Sequence, residues 1–243
     1  MKTQTLTYFD GSQKLIGKLF HPKEITQVHS AIIVFHAFDG RSEFTLHYAK
    51  KLAEHGYIVL AADMYGEAKT AETIPTCFDL ITPFLKDRFL VRRRANLALE
   101  ALSQHPLVDK NKIGAIGFCF GGMCALEVAR SGANLTVCIG LHSALVKSDL
   151  PTHPIHSKIF IMNGYEDPQV PPESIQNFAK EMKEAQVKDW NFLFFGQAQH
   201  SFTDPRTGTF DQVKEKEMGR VYDPRAAERS FRYVIDFFAE SLN

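Results

Sequence analysis

What the sequence lacks narrows the field before any motif is read. Its 243 residues hold only four cysteines, Cys77, Cys119, Cys124 and Cys138, and no two of them form a C-x-x-C pair. The first twenty residues, MKTQTLTYFDGSQKLIGKLF, contain no uninterrupted apolar segment of the kind a secretory signal needs. Reduced thiols and a cytoplasmic location are therefore expected. The longest apolar runs fall far short of a membrane span. Neither charge is in excess, with 28 Lys+Arg against 28 Asp+Glu, which argues against nucleic acid or an anionic membrane as the main partner. There is no internal repeat, no low-complexity tract and no G-x-G-x-x-G, and no Gly-Lys-Ser/Thr follows the glycine-rich corner, so a nucleotide-phosphate loop is disfavoured.

What is present is a hydrophobic fraction of 44%, enough for a sizeable core in one domain spanning 1–243. TQTLTYFDG and QKLIGKLFHP read as two strands joined at Asp10-Gly11, a favoured hairpin turn. A short continuous apolar run at 31–36 reads as a strand buried on both faces, 57–63 as the next buried strand, and 112–117, 135–141, 158–163 and 190–195 as further strands. Helical spacing occupies 43–56, 91–105, 172–186 and 224–241. Strands alternating with helices predict an α/β fold: a mostly parallel sheet covered on both faces, with the opening hairpin as an antiparallel edge. The stretch 64–90 reads as a long irregular loop, a lid-like element whose Phe78, Ile81, Pro83, Phe84 and Phe89 would wall an apolar pocket or pack as a satellite core.

Parallel sheets bind ligands at the carboxyl ends of their strands. Three residues of catalytic type meet that condition: Cys119 after 112–117, Asp167 after 158–163 and His200 after 190–195. Gly117-Phe118-Cys119-Phe120-Gly121-Gly122 has the form of a strained strand-to-helix corner that lifts a nucleophile, its flanking glycines relieving clashes. The helix N-terminus beyond it favours a thiolate, and the Phe120 N–H would face an oxyanion. A buried cysteine packed in a tight turn is the plainer alternative for the hexapeptide alone. The order nucleophile, acid, histidine is that of α/β-hydrolases. Glu166 is a rival to Asp167. His142 and Ser143 follow the strand 135–141 and are further candidates. Arg92-Arg93-Arg94 reads as a solvated helix face, and His153 and His156 as loop residues without a third metal ligand.

Taken together, AIIVFHAFDG, AEHGYIVLAADMYG, VDKNKIGAIGFCFGG, NGYEDPQVP and GQAQHSF resemble the dienelactone hydrolase family, cysteine-using members of the α/β-hydrolase fold, over most of the chain. The resemblance implies hydrolysis of a small ester or lactone through an acyl-thioenzyme. Cys119 would be the nucleophile, His200 the base and acid, Asp167 its orienter, and the Phe120 and Phe38 N–H groups (Ala37 in place of Phe38 if the register slips by one) the oxyanion donors, with no metal or organic cofactor. It also implies a pocket near His36, Tyr65, Glu67, Phe118, His142, Phe202 and Asp204. Glu67 and Asp204 stand where the family carries two carboxylate-binding arginines, which predicts that anionic substrates are repelled. Ala37 stands where the family has a thiol-switching glutamate. A thioesterase or acyltransferase with the same triad, or a redox sensor that does not turn over, remain open alternatives. The small-molecule substrate is the only partner expected, for a monomer or homodimer.

Overall fold

The computed structural model describes residues 1–25 and 27–243. Its centre is an eight-stranded sheet in the order β1-β2-β4-β3-β5-β6-β7-β8. The strands are β1 (Lys2–Asp10), β2 (Gln13–His21), β3 (His29–Phe35), β4 (Ile58–Ala61), β5 (Val108–Phe118), β6 (Val137–Leu141), β7 (Lys158–Gly164) and β8 (Trp190–Phe195). The β1–β2 and β2–β4 pairs are antiparallel, and every pair from β4 to β8 is parallel. The hairpin closes at Asp10↔Gln13 through Gly11 and Ser12, with Gly11 at φ 60°. This is the predicted architecture, the α/β-hydrolase fold.

Alternation along β3 shows how both faces are buried. Ala31, Ile33 and Phe35 join a core with residues of α3 (Arg88–Ser103) and α4 (Phe120–Arg130), such as Ala95 and Val128. Ile32 and Val34 join the opposite core, with Leu52 of α1 (Glu43–Glu54) and Phe238 of α7 (Pro224–Leu242). A strand with no solvent face has no reason to alternate in polarity. Helix α5 (Pro172–Glu184) packs Phe178 and Met182 into the first core.

The stretch 64–90 departs from expectation. Most of it is helix: α2 (Ile74–Lys86) runs to Asp87, which caps α3 through its side chain at Leu90 N–H. Pro75 and Pro83 made it read as irregular. Pro75 lies in the first turn, where no N–H is needed, behind a Thr73–Thr76 capping box. Pro83 lies one turn from the end, so it costs the helix little length. Cys77, Ile81 and Phe84 anchor α2 in the core. The arginine run is also less solvated than its composition implies. Arg92 bonds the buried Glu127, and Arg93 and Arg94 both bond Asp10. A further helix, α6 (Gln212–Glu217), had no apolar periodicity to announce it. Among the described residues no helix is long and apolar enough to cross a membrane.

Candidate active site

Strand β5 ends at Phe118 and α4 begins at Phe120, so Cys119 alone makes the corner, at φ 53°, ψ −113°. That conformation is strained for a residue with a Cβ, and persists only where the surroundings over-determine it. Here they do. The Cys119 N–H donates to Leu141 O (3.1 Å), and its carbonyl accepts from Gly122 N–H (3.0 Å) and Ala144 N–H (3.3 Å). The two glycines permit the fold-back: a Cβ on Gly117 would overlap the Gly121 carbonyl, and one on Gly121 would overlap the Phe35 carbonyl.

The loops after β7 and β8 bring Asp167 and His200 to the same end of the sheet. His200 Nδ1 donates to Asp167 Oδ2 at 2.8 Å, and both side chains are buried. Asp167 Oδ1 accepts the Gln169 N–H at 2.8 Å, which fixes the carboxylate. His200 Nε2 is buried with no hydrogen-bond partner among the described residues. Glu166 is exposed and does not take part.

Cys119 and His200 line one cavity of about 150 Å³. Phe38, Phe78, Ile81, Leu85, Met123 and Met218 form its apolar wall, and Gln169 and Arg220 add polar groups. Three lining side chains, Phe78, Ile81 and Leu85, come from α2, and Phe78 and Leu85 stand exposed at the surface. A larger cleft, about 650 Å³, lies between α1 and α7 and contains neither Cys119 nor His200. The chemistry decides between them in favour of the smaller.

The electrostatics separate Cys119 from the other thiols. Burial pushes Cys77 and Cys138 up to about 12, and Cys124 well above the ordinary thiol range. Burial is the largest single influence at Cys119 and works against ionisation, and the charge of the adjacent His200 imidazole opposes it. The Arg220 guanidinium and the Phe120 N–H add to the effect, and the thiol is held below its ordinary value. In His200 burial favours the neutral ring, yet the Cys119 and Asp167 charges prevail and push it up to about 9.

The seven predicted pocket residues lie elsewhere: none lines this cavity. Phe118 and Phe202 are fully buried in the core. Tyr65 is buried and donates to Phe38 O at 2.9 Å. His36 is buried, bonded to backbone through both ring nitrogens. His142 packs behind His200, ring centres 5.3 Å apart, with Nε2 2.8 Å from Thr203 Oγ1. Ser143 is also buried. Glu67 is exposed. Asp204 is buried and turned toward Arg206, which donates to both its oxygens (3.0 and 2.8 Å) and to Asp39 Oδ2 (2.8 Å). The expected repulsion of anionic substrates therefore loses its basis: one acid points to solvent and the other is paired.

Arg220 is the residue that sequence reasoning missed. It lies after α6, where the His200–Arg220 bridge sets it beside the histidine loop. Its Nε donates to Glu215 Oε1 (2.9 Å), one terminal nitrogen donates to Ser201 Oγ (2.9 Å), and the guanidinium lies 4.5 Å from the Phe38 ring centre. No local motif marks it among the 28 Lys and Arg. It lines the cavity paired with the buried Glu215, so with neither a free cation nor a facing carboxylate there, an ester bearing a free carboxylate should react within a few-fold of its amide-capped twin. Kinetics on such a pair check this. A penalty for the anionic member of roughly a thousandfold, as two facing carboxylates would impose, would restore Glu67 and Asp204 to the pocket.

A family model described as the dienelactone hydrolase family matches residues 16–242. A crystal structure of a dienelactone hydrolase-like promiscuous phosphotriesterase from metagenomic libraries is 33% identical. It aligns over 100% of this chain and 99% of that one with a TM-score of 0.93. An uncharacterized protein of Caenorhabditis elegans is 33% identical over 155 residues, 63% of this chain and 94% of the relative. A Yersinia pestis protein provisionally named a carboxymethylenebutenolidase is 25% identical over 232 residues, 90% of this chain and 81% of the relative.

Proposed function

This chain belongs to the dienelactone hydrolase family and is an ester or lactone hydrolase of that type, and we propose that it works by double displacement at Cys119. The observation that carries the reading is the arrangement around one cavity. A cysteine is held at a strained corner, and a buried histidine is fixed by Asp167 at 2.8 Å with its other nitrogen free.

The Cys119 thiolate attacks the substrate carbonyl, and the carbonyl π pair moves onto oxygen. The resulting oxyanion meets the Phe120 N–H, in the first turn of α4, and the Phe38 N–H, neither of which has a backbone acceptor among the described residues. As the carbonyl reforms, the C–O bond of the leaving alcohol breaks and imidazolium His200 supplies its proton. Neutral His200 then takes a proton from water, whose oxygen attacks the thioester. Collapse releases the acid and returns Cys119 as thiolate beside protonated His200. The cavity, at about 150 Å³, suits a small acyl group better than a long chain, being below the usual range for drug-sized ligands.

Acylation needs thiolate and imidazolium together. The Cys119 thiol is shifted down and His200 up to about 9, so the window lies between them. We expect steady turnover of p-nitrophenyl acetate, with kcat/KM rising at a pH below the ordinary thiol range and falling above about pH 9 as His200 loses its proton. A rate climbing through the ordinary thiol range, near pH 8.5, would mean an unassisted cysteine. A single equivalent of nitrophenol without cycling would favour the thiol-sensor alternative. The metagenomic relative is named a promiscuous phosphotriesterase, which supports adding a phosphotriester to the same assay, since a thiolate can also attack phosphorus.

A further inference from the structure

His36 is a buried histidine that the double displacement does not use. It follows β3 and contributes nothing to the cavity wall. Its hydrogen bonds determine its tautomer. The Met64 N–H can only donate, so Nε2, 3.2 Å away, accepts. The proton of the neutral ring is then on Nδ1, which donates to the Ala37 carbonyl at 2.6 Å. Burial is the largest influence on the ring and favours this uncharged form. Packing fixes the ring plane, with the Tyr65 ring edge-on at 4.6 Å and the Phe120 ring at 5.9 Å.

The carbonyl that His36 holds belongs to the same peptide unit as the Phe38 N–H. In a trans peptide the C=O and N–H point to opposite edges of one plane. Anchoring the oxygen therefore sets the direction of the hydrogen. Other restraint on this oxygen is weak: the Gly40 N–H reaches it at 3.3 Å. The next carbonyl, of Phe38, is held separately by the Tyr65 hydroxyl at 2.9 Å. Donation to a carbonyl also polarises the peptide, making its N–H a better donor. We propose that His36 is a positioning residue for the oxyanion hole: through Nδ1–H···O=C Ala37 it locks and polarises the peptide whose N–H, on Phe38, meets the developing negative oxygen. This inference rests on the double-displacement reading and adds to it a residue that touches no reacting atom.

The test separates reactions that build an oxyanion from one that does not. Alkylation of Cys119 by iodoacetamide uses the thiolate and displaces iodide at a saturated carbon, so it needs His200 but no oxyanion donor. Three variants divide the bonds. His36→Asn keeps a side-chain N–H near the Nδ1 position. His36→Gln reaches toward Met64 N–H but leaves Ala37 O without its donor. His36→Leu loses both.

We expect His36→Gln and His36→Leu to lose about 10- to 100-fold in kcat for p-nitrophenyl acetate with KM little changed. That is less than the roughly 10²–10³ typical for deleting an oxyanion donor outright. We expect His36→Asn to stay within about threefold of the unmodified protein, and the alkylation rate of Cys119 to change less than about twofold in all three. An equal fall in alkylation and turnover would overturn the proposal, since it would report general damage to the site. So would unaffected turnover, or activity kept by His36→Gln and lost by His36→Asn. Cys119→Ala run alongside keeps the two readings apart. If it retains turnover, the double displacement itself fails. If it is inactive while the His36 variants are silent, only the role of His36 is refuted.

Discussion

Replacing Cys119 with alanine should lower kcat/KM for p-nitrophenyl acetate by roughly 10⁴- to 10⁶-fold, the scale on which removing a nucleophile acts when the rest of a site persists. The fold should survive, because the corner is held by backbone bonds to Leu141, Gly122 and Ala144 that alanine keeps. The same electrostatics make a labelling prediction. Iodoacetamide at neutral pH should modify Cys119 well before Cys77, Cys124 or Cys138, since burial opposes ionisation at all four and only Cys119 has a charged histidine to offset it. Activity surviving in Cys119→Ala, or equal labelling of the four thiols by mass mapping, would remove the nucleophile assignment.

The second large effect belongs to the histidine. His200→Ala should lose about 10⁴-fold or more, because it deletes the group that protonates the leaving alcohol and activates water, and also the charge that holds the thiol down. Alkylation of Cys119 at neutral pH should slow in the same variant. Asp167→Asn should lose less and keep measurable turnover. Its carboxylate bonds Nδ1 and sets the tautomer without handling the proton itself. Glu166→Gln should be silent, since that side chain is exposed. Steady-state kinetics on the three variants check the order. Inactivation by Glu166→Gln with a silent Asp167→Asn would mean that the acid is misassigned.

The corner at Cys119 was legible because its constraint is local. Gly117 and Gly121 are required by backbone overlap within five residues and at the neighbouring strand, and such requirements leave their mark in a short motif. Asp167 and His200 were legible through order along a parallel sheet, which fixes which strand ends meet. Buried strands were readable for the same reason that they are buried: Ala31 to Phe35 face two cores and carry no polar residue. Helix α2 was hidden because Pro75 and Pro83 count as breakers in a linear reading, while in place one occupies a first turn and the other a last. Arg220 was hidden because it reaches the cavity through tertiary placement alone, by the bridge to His200 and the ion pair with Glu215. Glu67 and Asp204 were placed by counting from family positions. Counting preserves register along the chain but says nothing of where a loop side chain turns: Glu67 went to solvent and Asp204 to Arg206. His36 was picked out for its nearness to the site, and its hydrogen bonds point to the backbone rather than to the cavity.

The most direct test of a turning-over cysteine is to catch the acyl group on it. The protein is mixed with excess p-nitrophenyl acetate, quenched in acid at successive times, and digested for peptide mass mapping. An acetyl group should appear on Cys119 alone, reach a steady level during turnover and vanish at the measured kcat once ester is exhausted. Turnover with Cys119 unmodified throughout, while another residue carries the acyl group, would contradict the mechanism; so would an acetyl-Cys119 that persists without hydrolysis.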